Sequence, residues 1–313
     1  MSSHLKSNFD ITDLSGCDHA KILDVCGMRF LDSSLSQPKL PIAASECSLT
    51  RLTQKSSKGF MPSSYVLDSR IDAVSMEDAI QQIVSWASQR QSRYVALCNV
   101  HSVVTASQNP GFRQVINQAD LALPDGAPIA WALRQSGHSQ QERINGPDLT
   151  WNYLATAEKI GHSVCFYGST EATLRKLESR ILKQFPKLRI VGMISPPFCA
   201  ISQESARDYI DQINNSGANV LFVGLGCPKQ EAWMAAHRGK IHAVMLGVGA
   251  AFDYHAGTIQ RAPKWVQKIG MEWAHRLISE PRRLAKRYAV TNSVFNYRML
   301  KSMLVGKRNV QEK

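Results

Sequence analysis

The stretch that most limits what this chain can fold into is Asn219 to Trp233, NVLFVGLGCPKQEAW. Val220, Leu221, Phe222 and Val223 form a short apolar run, bounded upstream by Asn214, Asn215, Ser216 and Gly217. A run with no polar alternation is the pattern of a parallel strand covered on both faces. It passes directly into Gly224, Leu225, Gly226, Cys227 and Pro228, and then into the helix-compatible KQEAWMAAH. Strand, glycine turn and helix start together place backbone N–H groups and a positive helix end at the carboxyl edge of a sheet, where phosphates are commonly held. A tight turn without a ligand has the same spacing. The polar cluster Lys229, Gln230 and Glu231 is what points to a ligand, since a merely structural turn has no need of it.

The rest of the chain repeats this alternation. YVLDSRIDAV reads as a strand or hairpin, and MEDAIQQIVSWASQR spaces Ala79, Ile80, Ile83, Val84 and Ala87 at helical intervals. Further strands are predicted at YVALCNV, LALP, SVCFYG and LRIVGMIS. AVMLGVGAAFDY reads as a last strand and turn. Helices intervene, one of them capped by Ser169 and Thr170. Regular strand–helix alternation predicts an α/β fold, a sheet with helices on both faces. The expected organisation is a poorly ordered extension at 1–64, with a short helix near His19 to Arg29, a folded domain at 65–265 and a basic appendage at 266–313.

Charge is distributed to match. Of the net charge of +12, residues 261–313 hold thirteen Lys and Arg against three Glu, so the remainder is nearly neutral. A basic tail on a neutral body argues for a local anionic partner and against general nucleic-acid coating. The seven cysteines are scattered and form no C-x-x-C pair, so a reducing cytosol is expected, with neither zinc site nor disulfide framework. No run of about eighteen apolar residues is present, and the start of the chain lacks the pattern of a secretory signal.

Four motifs carry chemistry. In LPDGAPIAW, Asp125 follows a short apolar strand and precedes Gly126, where it could act as a general base or cap the helix beginning at Ala127 or Pro128. ERINGPDL brings Arg143, Gly146 and Asp148 within six residues. The arginine could meet a phosphate or a surface carboxylate, and Asp148 could cap the helix TWNYLATAEK. The GLGCPKQEAW turn supplies Gly224, Gly226, Lys229 and Gln230. It has Lys229 where G-x-G-x-x-G ends in glycine, which disfavours a nicotinamide site; no cofactor is expected. GVGAAFDYHAGTIQRAPKW supplies Gly247, Gly249 and Asp253, followed by His255, a lone histidine of the kind that is usually structural. No D-x-D pair follows Tyr65, so no metal site is expected, and phosphate charge would fall to basic side chains. The C-terminal segment adds an apolar stripe of Leu284, Tyr288, Phe295, Met299 and Met303 among Arg283, Arg287, Arg298 and Lys301, the composition of a helix lying on an anionic membrane surface. Partly exposed apolar residues in that tail would also suit a homo-oligomer.

With LPDG, RINGPDL, GLGCPKQEAW, GVGAAFDYHAG, RAPKW and EWAHRLISEPRRLAKR in this order, the chain resembles the WecG/TagA/CpsF family, glycosyltransferase family 26, from about Tyr65 to Tyr288. The resemblance implies a Rossmann-like fold of the GT-E kind. It also implies inverting, metal-independent transfer from a UDP-sugar to a lipid-linked, polyprenyl-diphosphate acceptor at the cytoplasmic face of the inner membrane. Asp125 matches the family's proposed base and Gln230 a residue of its active-site pocket. Arg276 and Arg283 match arginines of an appendage thought to close over the nucleotide diphosphate. Asn99 matches an asparagine that some members precede, two residues earlier, with Thr; this chain has Leu97 there. A third appendage arginine aligns with Lys286, with Arg287 adjacent. The resemblance leaves the donor open between N-acetylmannosamine, for common-antigen or teichoic-acid linkage, and other sugars of exopolysaccharide assembly, towards which the extension and tail lean. The rival of another class is a non-catalytic nucleotide-sugar sensor.

Overall fold

Two residues with positive φ, Leu67 and Asp68, reverse the chain at the start of the described structure. They join β1 (Ser63–Val66) and β2 (Ser69–Asp72) into an antiparallel hairpin. The computed structural model describes residues 61–197 and 203–311, so the extension and its expected helix lie almost wholly outside it.

Six parallel strands follow: β3 (Arg93–Cys98), β4 (Leu121–Pro124), β5 (Ser163–Gly168), β6 (Arg189–Ile194), β7 (Val220–Gly224) and β8 (Val244–Gly247). Their order across the sheet is β4-β3-β8-β7-β5-β6. The chain therefore runs outward from β3 to β4 on one side and from β5 to β6 on the other, and β7 and β8 fill the middle. Open α/β sheets of this Rossmann-like kind bind ligands in the crevice outside the carboxyl ends of the strands, where the direction of winding reverses.

The organising strand β7 shows why the apolar run has no polar side. Val220 and Phe222 face one core layer with Phe166 and Leu246, whereas Leu221 and Val223 face the other with Tyr167 and Met245. The first layer is covered by α1 (Met76–Ser88), α5 (Gly146–Ile160), α6 (Glu171–Gln184) and α9 (Ala251–Ala256). The second is covered by α2 (Val100–Gln108), α3 (Pro110–Asn117), α4 (Ala127–Gln135), α7 (Gln203–Asn215) and α8 (Lys229–His237). Phe166 and Phe222 stack at 5.0 Å, both fully buried, and each contributes roughly 1.5–3 kcal/mol by leaving water.

Two sequence expectations change here. GVGAAFDYHAG is not only strand and turn: Ala251–Ala256 is a helix, too short to show a periodicity. The helix after RING begins at Gly146 and is capped by Asn145, whose side chain accepts from the Asp148 N–H, so Asp148 is not the cap.

The C-terminal segment forms α10 (Lys264–Lys268), α11 (Glu272–Ser279) and α12 (Pro281–Gln311). Much of the stripe read as membrane-facing is spent on packing. Leu284 and Phe295 are buried, and Phe295 and Met299 pack against the core layer that contains α2. The outward apolar residues are others: Trp265, Ile269, Ile278, Val290, Tyr297 and Leu300. Among the described residues no helix is long and apolar enough to cross a membrane.

Candidate active site

Asp125 leaves the end of β4 with its N–H donating to the Cys98 carbonyl at 2.9 Å, which fixes it beside the end of β3. Gly126 then turns at φ +95°, a conformation that L side chains rarely adopt, and Pro128 occupies the first turn of α4. No side chain caps α4, so the Asp125 carboxylate is not spent on its own helix. Instead Oδ2 accepts from Asn99 Nδ2 at 3.3 Å. Asn99 is itself held as the cap of α2, its Oδ1 accepting from the Ser102 N–H. Burial lifts the Asp125 carboxyl from 3.8 to about 6; Glu272 pushes the same way, while the Asn99 bond and the charges of Arg143 and Arg276 oppose it. A carboxylate held near 6 is ionised at neutral pH and more basic than an exposed one, as a general base should be.

Asp125 opens onto a cleft of about 1070 Å³ at the carboxyl ends of the strands. Asn99, Gly126, Arg143, Gly146, Gly224, Gly226, Lys229, Gln230, Gly247, Gly249, Asp253, Arg276 and Arg283 line the same cleft. Asp148 does not: its carboxylate accepts from Arg261 and from Asn145 at the base of α5. His255 also lies outside the lining, stacked on Trp151 with Nε2 donating to the Pro147 carbonyl at 2.9 Å.

Gly224 and Gly146 are required by close approach. A Cβ on Gly224 would sit 2.7 Å from the Phe252 ring, and one on Gly146 would sit 2.8 Å from the Val248 carbonyl oxygen. Gln230 holds two of the turns together: Oε1 accepts from the Gly226 N–H at 3.2 Å and Nε2 donates to the Gly247 carbonyl at 3.1 Å. Its amide is thus committed within the protein, and its buried position makes it the organiser of the floor. Beside it Glu231 is fully buried and accepts from Gln230 Nε2 at 2.9 Å, and burial raises its carboxyl to about 7. No side chain caps the start of α8, so that positive helix end, with Lys229 on its first turn, opens on the cleft.

The roof comes from the appendage. Arg276 lies over the Tyr254 ring at 5.6 Å, with its Nε buried and without a hydrogen-bond partner. Arg283 pairs with Glu280, and Arg287 also lines the cleft. Sequence reasoning missed His101, Tyr254 and Glu272 as lining residues. His101 is drawn down to about 4 by burial and by Arg287, so it is neutral at physiological pH. Among the described residues no cluster of His, Cys, Asp and Glu converges to hold a metal.

The Rossmann-like sheet thus directs a basic carboxylate, glycine turns and an open helix start into one cleft, and the class of protein comes from comparison with known families. The chain belongs to the glycosyl transferase WecG/TagA/CpsF family, whose model matches residues 64–309, and it is a glycosyltransferase. It is similar to the N-acetylglucosaminyldiphosphoundecaprenol N-acetyl-beta-D-mannosaminyltransferase of Bacillus spizizenii strain W23, with 28% identity over 211 residues, covering 67% of this chain and 80% of that relative.

Proposed function

We propose that this glycosyltransferase moves a sugar, with inversion and without a metal, from a UDP-sugar to a polyprenyl-diphosphate-linked acceptor in bacterial exopolysaccharide or cell-surface glycan assembly. The Asp125 carboxylate takes the proton of the acceptor hydroxyl. The freed oxygen lone pair attacks the anomeric carbon from the side opposite the diphosphate. The bond from that carbon to the β-phosphate oxygen breaks, and its electron pair leaves with UDP. Stabilising that departing charge is usually the largest catalytic contribution. Lys229, the start of α8, Arg276 and Arg283 supply it, with the glycine turns letting the diphosphate approach the backbone.

The observation that carries this reading is the shared cleft of Asp125, the β7 and β8 glycine turns and the appendage arginines. The relative's name supports a polyprenyl-diphosphate acceptor and makes UDP-N-acetylmannosamine the first donor to try. Trp265, Ile269, Ile278, Tyr297 and Leu300 are exposed on the same segment as Arg282, Arg298 and Lys301. That surface suits peripheral attachment to the anionic inner face of the membrane, where the acceptor would be presented. The test is a panel of UDP-sugars with a polyprenyl-diphosphate-linked N-acetylglucosamine, scored by UDP release. Binding of UDP with no release from any donor would leave the non-catalytic sensor standing.

A further inference from the structure

Helix α11 carries Arg276 into the cleft, yet none of its residues is buried. Apolar packing, with Leu277 half-buried and Trp273 edge-on to Tyr288, therefore holds it only in part, and its polar ties add to that hold. Among the described residues, two ion pairs join the segment from 266 onward to the body, and both end on Glu272. Its Oε2 accepts from Arg143 Nη1 at 3.0 Å and its Oε1 from Arg261 Nε at 3.0 Å. Arg261 is anchored in turn by Asp148 and Asn145 at the start of α5. The Glu272 side chain is only 16% exposed, which lifts these pairs above the near-zero worth of surface ones. Just before α11, Gly270 passes so close to α4 that a Cβ there would lie 2.8 Å from the Cβ of Ala127, two residues after Asp125.

We propose that Glu272 is a positioning residue that pins α11 to the body, so that Arg276, one turn further along the same helix face, is held over the cleft. This inference rests on the glycosyltransferase reading above for its kinetic consequences but not for its structural ones. Glu272 also consumes the charge of Arg143, which leaves Arg276 and its neighbours, not Arg143, as the free cations for a diphosphate. Asp125 is faced by Asn99 and Cys98 at the end of β3, by Arg143 from the loop before α5, and by Glu272 and Arg276 from α11. Removing the Glu272 charge takes away a group that favours protonation of Asp125 and frees a cation that opposes it. Both changes act in one direction.

The experiment compares wild type, Glu272→Gln and Glu272→Asp by backbone hydrogen exchange at residues 273–279, by UDP binding and by UDP-sugar kinetics against pH. The expected result for Glu272→Gln is faster exchange confined to α11 and weaker UDP binding. A donor KM raised on the order of tenfold is expected for the loss of part-buried charge-assisted pairs. The acidic limb of kcat/KM should move to lower pH, because the charge that favours protonation of Asp125 is gone. Glu272→Asp keeps the charge with shorter reach and should fall between the two; it decides the question if Glu272→Gln does not fold. Unchanged exchange at α11 together with an unchanged donor KM would overturn the proposal. If wild type transfers no sugar but Glu272→Gln still loosens α11 and weakens UDP binding, the pinning stands and only the enzymatic reading fails.

Discussion

Replacing Asp125 by Asn separates a base from a mere turn residue, because it changes two quantities in opposite directions. The amide keeps an oxygen for the Asn99 bond and the shape of the turn, but it cannot take a proton. Turnover should fall on the order of 10²–10⁴, while UDP binding stays near wild type. Stability should rise. The native carboxyl titrates near 6 where its ordinary value is 3.8, so the folded state holds a proton that the unfolded state has released. Native stability is consequently lost as pH climbs from about 4 through about 6, and the whole cost is present at pH 7.5. A shift of roughly two units at 1.36 kcal/mol per unit sets a ceiling of about 3 kcal/mol, and the partial exposure of Asp125 lowers it. Thermal unfolding of the two proteins at pH 4 and pH 7.5, beside UDP-release assays, gives the answer. Asp125→Asn should melt several degrees higher at pH 7.5, with most of the gap gone at pH 4. An equal gap at both pH values would refute the claim that burial raises this carboxyl, and full-rate transfer by the variant would refute its role as base.

The other predictions are independent of that one. Glu231→Gln is isosteric at a fully buried carboxyl raised from 4.5 to about 7; urea midpoints should match wild type below about pH 4.5, exceed it increasingly up to about pH 7 and level off above, since the unfolded wild type releases this proton before the folded one does. Gly146→Ala forces a Cβ against the Val248 carbonyl and should destabilise by about 1–3 kcal/mol, with loss of transfer because the β8 turn moves; a wild-type melting temperature would contradict it. Sedimentation with vesicles should show binding to anionic but not zwitterionic lipid, weakened in 1 M salt. Tyr297→Ser with Leu300→Ser should cut that binding without changing the melting temperature, since both side chains are exposed.

What could be read from the chain beforehand depended on distance along it. The pattern predicts β5 at Ser163 to Gly168 and the strand forms there, because a buried strand between two turn signals needs only local information. The sequence points to a cap of α5 three residues late, because Gly-Pro looks like loop punctuation. Proline loses nothing in a first helical turn, and Gly146 is there because Val248, more than a hundred residues away, leaves no room for a Cβ. The stripe on α12 had the right period but two possible partners, and only the packing of Phe295 shows that the body took most of it. Glu272 carried no signal at all, since its partners Arg143 and Arg261 lie 129 and 11 residues away in loops without periodicity.

The charges in the cleft are divided in a way that follows from these contacts. Arg143 and Arg261 are balanced by Glu272 and Asp148, a closed set that needs nothing from a ligand. Arg276 and Arg283 share one carboxylate, Glu280, with Arg276 at 3.9 Å, too far for a hydrogen bond. Lys229 has no ion pair among the described residues. Positive charge in excess of its partners therefore sits on the appendage and at the start of α8, where Gln230 organises the floor. A double anion such as a diphosphate would complete hydrogen bonds that Glu280 alone leaves unmade, including the buried Nε of Arg276. Leaving such a donor without an acceptor costs about 1–3 kcal/mol, so the ligand gains by supplying the acceptor as well as by opposite charge. Discrimination by that route is geometric. UDP should bind more tightly than UMP by more than one added charge explains, and Glu280→Gln, which frees cationic charge on Arg276 and Arg283, should widen the gap between UDP affinities at low and high salt without abolishing the preference.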